Sequence, residues 1–165
     1  MSVLVDTGVL YADHDTDATR HEAAAGALER VYDGEFGQPY VTDYVFDEAV
    51  TLTLRRNGSF EAATQLGQRL RGVDPYPEVY ELLHLSEPAF EAAVDVFEQY
   101  ADQDLSFTDA TLLTQCERQD IDAILTFDDD FDGLVMKTSR PTRSTATASG
   151  RPRSRRRGQS SRASR

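Results

Sequence analysis

The chain has one cysteine, one lysine and no tryptophan among its 165 residues. A lone Cys116 excludes an intrachain disulfide and any cysteine-based zinc site. No apolar run approaches the roughly 20 residues that span a bilayer. The N-terminus also lacks the basic region and cleavable apolar stretch of a signal peptide, so a cytoplasmic protein is expected. Neither a P-loop nor a dinucleotide glycine fingerprint is present. His14, His21 and His84 are scattered, the first two read as surface helix or loop residues and the third as part of a strand, and no Ser-His-Asp set is evident.

What is abundant is carboxylate. Seven of the 17 basic residues face all 29 acidic ones before Lys137, so residues 1–136 carry a formal charge of −22. The remaining ten basic residues lie from Lys137 onward, without a single Asp or Glu. Two physically different segments follow: a folded domain over 1–137 and a disordered Arg/Ser/Thr-rich tail over 138–165. The tail has no aliphatic periodicity with which to offset its ordering entropy. Its composition also matches an out-of-frame reading of GC-rich DNA, with an RNA-binding tail as the rival. Dense surface acid keeps a protein soluble where salt screens repulsion within a few ångströms, so a halophilic source is expected, with an acidic mesophilic protein as the alternative.

Short apolar strands alternate with helices, predicting an α/β fold of three layers, α/β/α, around a mostly parallel four- to five-stranded sheet. Strands are expected at Ser2–Asp6, Pro39–Thr42, Val79–Leu85 and Ala123–Thr126, with a possible edge strand at Leu134–Met136. Helices are expected from Thr7, over Thr19–Tyr32, from Asp43 to about Arg56, from Ser59 to about Arg71, after Ser86-Glu87-Pro88, and from Thr108 to about Gln119. Phe90, Ala93, Val94 and Phe97 supply the apolar spacing of the fifth.

Four acids stand at the ends of these apolar runs: Asp6, Glu48, Asp109 and Asp128. In a parallel α/β sheet the strand carboxyl ends share one edge, where sites form. Carboxylates gathered there would repel one another without a hard cation between them, and oxygen-only ligands suit Mg²⁺ or Mn²⁺. Each acid also has a plainer reading. Asp6 suits a helix N-cap, Glu48 a solvated helix residue, Asp109 the third position of a capping box opened by Ser106, and Asp128 a turn. Asp47 reads as an ordinary exposed residue.

The runs Val5-Asp6-Thr7-Gly8-Val9-Leu10, Asp47-Glu48-Ala49, Ser106-Phe107-Thr108-Asp109-Ala110 and Leu125-Thr126-Phe127-Asp128-Asp129-Asp130-Phe131 resemble, in order and spacing, the motifs of PIN-domain nucleases. They are most similar to VapC-type toxins and their archaeal relatives. The resemblance implies that Asp6, Glu48, Asp109 and Asp128 form a catalytic metal site, with Asp130 auxiliary and Thr108 a polar neighbour. It further implies a Mg²⁺- or Mn²⁺-dependent endoribonuclease, a homodimer, and inhibition by a VapB-type antitoxin. A housekeeping RNA-processing nuclease and a non-catalytic RNA- or partner-binding module are the alternatives. Gly8 departs from the family, which often has Ser or Asn there, and no family-like C-terminal strand follows Met136.

A body of charge −22 repels RNA, so local cations must supplement the metal bridge. Arg55 and Arg56, about two turns beyond Glu48 on its helix, are candidates for substrate binding. They read equally well as helix C-terminal charges placed by the macrodipole.

Overall fold

The computed structural model describes residues 1–100, 105–127 and 136–137. Eleven elements alternate through these segments: β1 (Ser2–Val5), α1 (Thr7–His14), α2 (His21–Tyr32), β2 (Gln38–Thr42), α3 (Asp43–Asn57), α4 (Phe60–Leu70), β3 (Glu81–Leu83), α5 (Glu87–Gln99), α6 (Phe107–Gln119), β4 (Ala123–Leu125) and β5 (Met136–Lys137). The strands form one sheet in the order β3-β2-β1-β4-β5. The first four run parallel, and β5 pairs antiparallel with β4. The expected α/β architecture is the observed one.

The chain steps from β1 to β2 to β3 in one direction, then crosses back to place β4 on the other side of β1. Right-handed crossovers put α1–α4 on one face of the sheet and α5–α6 on the other. The reversal makes a switch point between the carboxyl ends of β1 and β4, where doubly wound sheets bind their ligands. Val3, Leu4 and Val5 of β1 are fully buried, as a central strand covered on both faces requires.

Local chemistry fixes most boundaries. Thr42 ends β2 and caps α3, its Oγ1 accepting from the Val45 amide at 3.2 Å. Gly58 closes α3 in the left-handed region at φ 63°. Ser59 caps α4 through the Ala62 amide at 3.1 Å.

Several sequence-based expectations need correction. Helix α2 begins at His21 rather than Thr19, because Ala18 and His21 are held in tight turns by the carbonyls of Asp15 and Ala18. Strand β3 is only Glu81–Leu83 rather than Val79–Leu85. Its partner β2 turns into α3 after Thr42, so no ladder remains beyond Leu83, and the Leu85 amide donates instead to Asp43 Oδ2 at 3.0 Å. Helix α5 buries Ala89 and Ala93, whereas Phe90 and Phe97 stay 39% and 42% exposed. Small residues allow α5 to pack closely, and the large rings are turned outward. The edge strand includes Met136 and Lys137, so the sheet margin beside β4 is covered there, while Leu134 lies outside the described residues.

The histidines also differ from expectation. His14 and His21 are half-buried and tied to backbone, with Nε2 of His14 2.9 Å from the Ala62 carbonyl and Nδ1 of His21 2.9 Å from that of Ala12. His84 lies just past β3 and is exposed, its Nδ1 3.7 Å from Asp43 Oδ2.

Candidate functional site

The register that pairs Val5 with Leu125 carries on one step beyond the sheet, setting Asp6 beside Thr126. The Asp6 amide donates to the Leu125 carbonyl at 3.0 Å, and Thr126 Oγ1 donates to Asp6 Oδ2 at 2.9 Å. Asp6 Oδ1 accepts from the Thr7 amide at 2.6 Å, so the residue is also the N-cap of α1. Thr7 Oγ1 in turn donates to Glu48 Oε2 at 3.0 Å. The start of α1 is thereby joined to α3 at the strand-end edge.

Asp109 sits in the first turn of α6. Its Oδ2 accepts from the Ser106 amide at 2.9 Å and the Ser106 hydroxyl at 2.7 Å, completing the capping box anticipated from the spacing. One oxygen carries both Ser106 bonds, and Oδ1 makes no hydrogen bond among the described residues.

The three acids share an electrostatic environment. Burial above all, with the charges of Asp109 and Glu48, pushes the Asp6 carboxyl up to about 6, against the lowering effect of the bonds from Thr126 and Thr7. Desolvation and like charge both disfavour the carboxylate, whereas donated hydrogen bonds favour it. A half-buried acid beside two others is an arrangement a cation relieves. The donors are all oxygen, which fits a hard divalent ion. Among the described residues, no three acids, histidines or cysteines are drawn tightly enough together to enclose a metal. Asp128 and Asp130, the remaining members of the expected set, lie outside the described residues.

Thr108 is half-buried next to Asp109, its carbonyl accepting from Thr111 Oγ1 at 2.7 Å. Arg55 and Arg56 are exposed in the last turn of α3, the position that the helix dipole favours for cations. Asp47 is exposed, as expected.

Sequence reasoning overlooked two hydroxyls, Thr7 and Thr126, as parts of the cluster. Both are buried polar residues at strand ends, where a hydroxyl must find a partner. It also overlooked Arg20, which donates to the Phe127 carbonyl and stacks on the Phe127 ring at 5.4 Å, a cation at the same edge. Thiol chemistry has no place here, because burial pushes Cys116 up to about 12. A cavity of about 490 Å³ lined by Tyr32, Arg69, Tyr76, Pro77, Val79 and Tyr80 opens at the opposite edge, before β3 begins. Its guanidinium pairs with Asp13, and none of the clustered acids lines it.

The PIN domain model matches residues 3–135, and the chain belongs to the PIN domain family. Among solved structures it is similar to the Mycobacterium tuberculosis toxin VapC20, which cleaves the sarcin-ricin loop. That pair is 24% identical with a TM-score of 0.66, covering 79% of this chain and 92% of the other. A toxin-antitoxin complex from Klebsiella pneumoniae is similar at 19% identity and a TM-score of 0.53, covering 80% of this chain and 92% of that one. At these identities the likeness establishes the fold. No curated protein matches the chain. Among the described residues, no helix is long and apolar enough to cross a membrane.

Proposed function

We propose that the protein is a Mg²⁺- or Mn²⁺-dependent endoribonuclease that acts as the toxin of a VapBC-type pair. One observation carries the reading: at the switch point of a PIN fold Thr126 and Thr7 hold the two oxygens of Asp6, and Thr7 links it to Glu48. PIN-domain nucleases generally use divalent metals, and the VapC-like ones are ribonucleases. The two similar structures support the finer assignment, one being an RNA-cleaving toxin and the other a toxin bound to its antitoxin.

In this reading Asp6, Glu48, Asp109 and Asp128 hold the metal, with Asp130 auxiliary. A bound divalent ion supplies a water of lowered pKa and neutralises charge at the scissile phosphate. The protein's own share is positional. Thr126 and Thr7 hold the two oxygens of Asp6, Thr7 holds Glu48, and Ser106 holds Asp109, so three carboxylates arrive with fixed orientation. Arg55, Arg56 and Thr108 contact the RNA in the same scheme. A homodimer and a cytoplasmic location complete it, as does a halophilic source whose salt screens the acidic body.

The test is cleavage of structured RNA with Mg²⁺ or Mn²⁺ in concentrated salt, wild type beside Asp6→Asn and Asp109→Asn. Both variants should lose at least about tenfold in kcat, the scale of a lost transition-state charge contact. An Asn at 109 still offers a carbonyl oxygen to Ser106, so α6 stays capped and the loss is not one of folding. Cleavage by both variants at the wild-type rate would place the active centre elsewhere.

A further inference from the structure

Metal-dependent hydrolysis directs water at phosphorus and needs no 2′-hydroxyl. In the nuclease reading, a preference for RNA over DNA must therefore come from a contact to the ribose. The sheet edge that holds Asp6 offers one. Thr42 pairs with Leu83, and the register that pairs Leu4 with Tyr40, carried on two residues, sets Asp6 beside Thr42. Asp6, Thr42 and Leu83 thus stand in one row at the ends of three adjacent parallel strands. Two strand spacings put the Leu83 backbone about 10 Å from that of Asp6. His84 is the next residue, on the β3 side of the acids.

Its surroundings are specific. His14 and His21 lie against backbone carbonyls, whereas the side chain of His84 is 79% exposed. The neighbouring Asp43 is fixed by two amides, its Oδ1 accepting from Tyr44 at 3.1 Å and its Oδ2 from Leu85 at 3.0 Å. Asp43 Oδ2 also stands 3.7 Å from Nδ1 of His84. A carboxylate on that side favours the neutral tautomer with its proton on Nδ1. Nε2, across the ring, is then left as an exposed acceptor.

We propose that Nε2 of His84 accepts the 2′-hydroxyl of a nucleotide flanking the cleaved bond, and so selects RNA. The proposal rests on the ribonuclease reading and adds to it the group that reads the sugar. Phosphates do not fit this nitrogen, because they offer acceptors alone and bring negative charge toward Asp43. Of the backbone groups of RNA, the 2′-hydroxyl is the donor, and DNA lacks it. A neutral acceptor also asks for no basic side chain, which suits a domain whose residues 1–136 carry a formal charge of −22.

The test compares a labelled uridine decamer with its 2′-deoxy counterpart by fluorescence anisotropy, in concentrated KCl with Ca²⁺. The proteins are wild type, His84→Phe and His84→Gln. Phenylalanine keeps a ring at this exposed position and removes the acceptor, whereas glutamine supplies an amide oxygen. Wild type should bind the RNA about five- to tenfold more tightly than the DNA, the scale of one hydrogen bond. His84→Phe should bind both as weakly as wild type binds DNA, and His84→Gln should keep the preference. In ¹⁵N-histidine spectra, the His84 Nε2 signal should move on adding the RNA and stay in place with the DNA. Equal binding of the two oligomers by wild type would overturn the contact. So would a preference that survives in His84→Phe, or an equal loss on both oligomers, which would assign His84 to a base or to neither. Cleavage in Mn²⁺ separates the two readings. A His84-dependent preference without cleavage by any of the proteins would leave the contact standing and remove the nuclease; cleavage with no such preference would do the reverse.

Discussion

Thr126 Oγ1 donates to Asp6 Oδ2 at 2.9 Å, joining residues 120 apart in sequence at the ends of two adjacent parallel strands. The bond opposes the burial and like charge that push Asp6 up to about 6. Thr126→Val keeps the shape and removes the donor, so the Asp6 carboxyl should rise further. In a pH–rate profile the acid limb of kcat/KM should move to higher pH, while Thr126→Ser leaves it in place. An unmoved limb in the valine variant would mean that Asp6 ionisation does not limit the reaction.

The same raised carboxyl acts on stability in the metal-free protein. Between about pH 4, where an unfolded Asp titrates, and pH 6, the native state retains a proton that the unfolded state has released. Stability therefore falls as pH rises through that window and levels off above it. The whole fall across the window amounts to about 3 kcal/mol, an upper figure for this site. Asp6→Asn should abolish that slope and make the metal-free protein more stable than wild type at pH 7. Denaturation in EDTA at pH 4.5, 5.5 and 7 checks this, with parallel curves for the two proteins counting against it. Adding Mn²⁺ should reverse the order, since a ligand bound only by the native state stabilises it.

Part of this candidate site was legible because Asp6 follows the apolar run of β1, and strand ends share one edge in a parallel sheet, whereas Asp109 lies in the first turn of α6. At Asp109 the capping reading is the observed one, and Ser106 uses one oxygen and leaves the other. Thr7 and Thr126 were harder to read, because a threonine's partner depends on which strands lie side by side, and β1 meets β4 only through a crossover spanning the whole domain. Phe90 and Phe97 misled for a related reason. Of the expected spacing Ala93 does face inward, but periodicity does not fix the centre of the buried stripe, which lies on Ala89 and Ala93 and leaves the two rings at its exposed margin.

In the proposed metal site Thr7 has the part of a positioning residue, as its hydroxyl holds the otherwise exposed Glu48 at 3.0 Å. Thr7→Val should raise the Mn²⁺ concentration for half-maximal cleavage by about tenfold, the low end of what outer-shell losses cost in metal affinity. At saturating Mn²⁺ the rate should return to within a few fold of wild type. A fall in kcat that metal cannot restore would place Thr7 in contact with the reacting groups instead.

Gly8 offers a change in the opposite direction. It lies in the first turn of α1 with no positive φ, and a Cβ built there would sit 3.8 Å from Asp6 Oδ2, an ordinary contact. A serine fits without displacing its neighbours and brings a hydroxyl against the carboxylate that most needs support. Gly8→Ser should therefore tighten Mn²⁺ binding two- to fivefold, by titration calorimetry in concentrated salt. Gly8→Ala supplies the control, because it shares the backbone gain of roughly 0.5–1 kcal/mol from removing a helical glycine but adds no oxygen. Both variants should melt slightly higher than wild type, and only the serine should bind metal more tightly. Equal tightening in the two would credit helix rigidity rather than the hydroxyl.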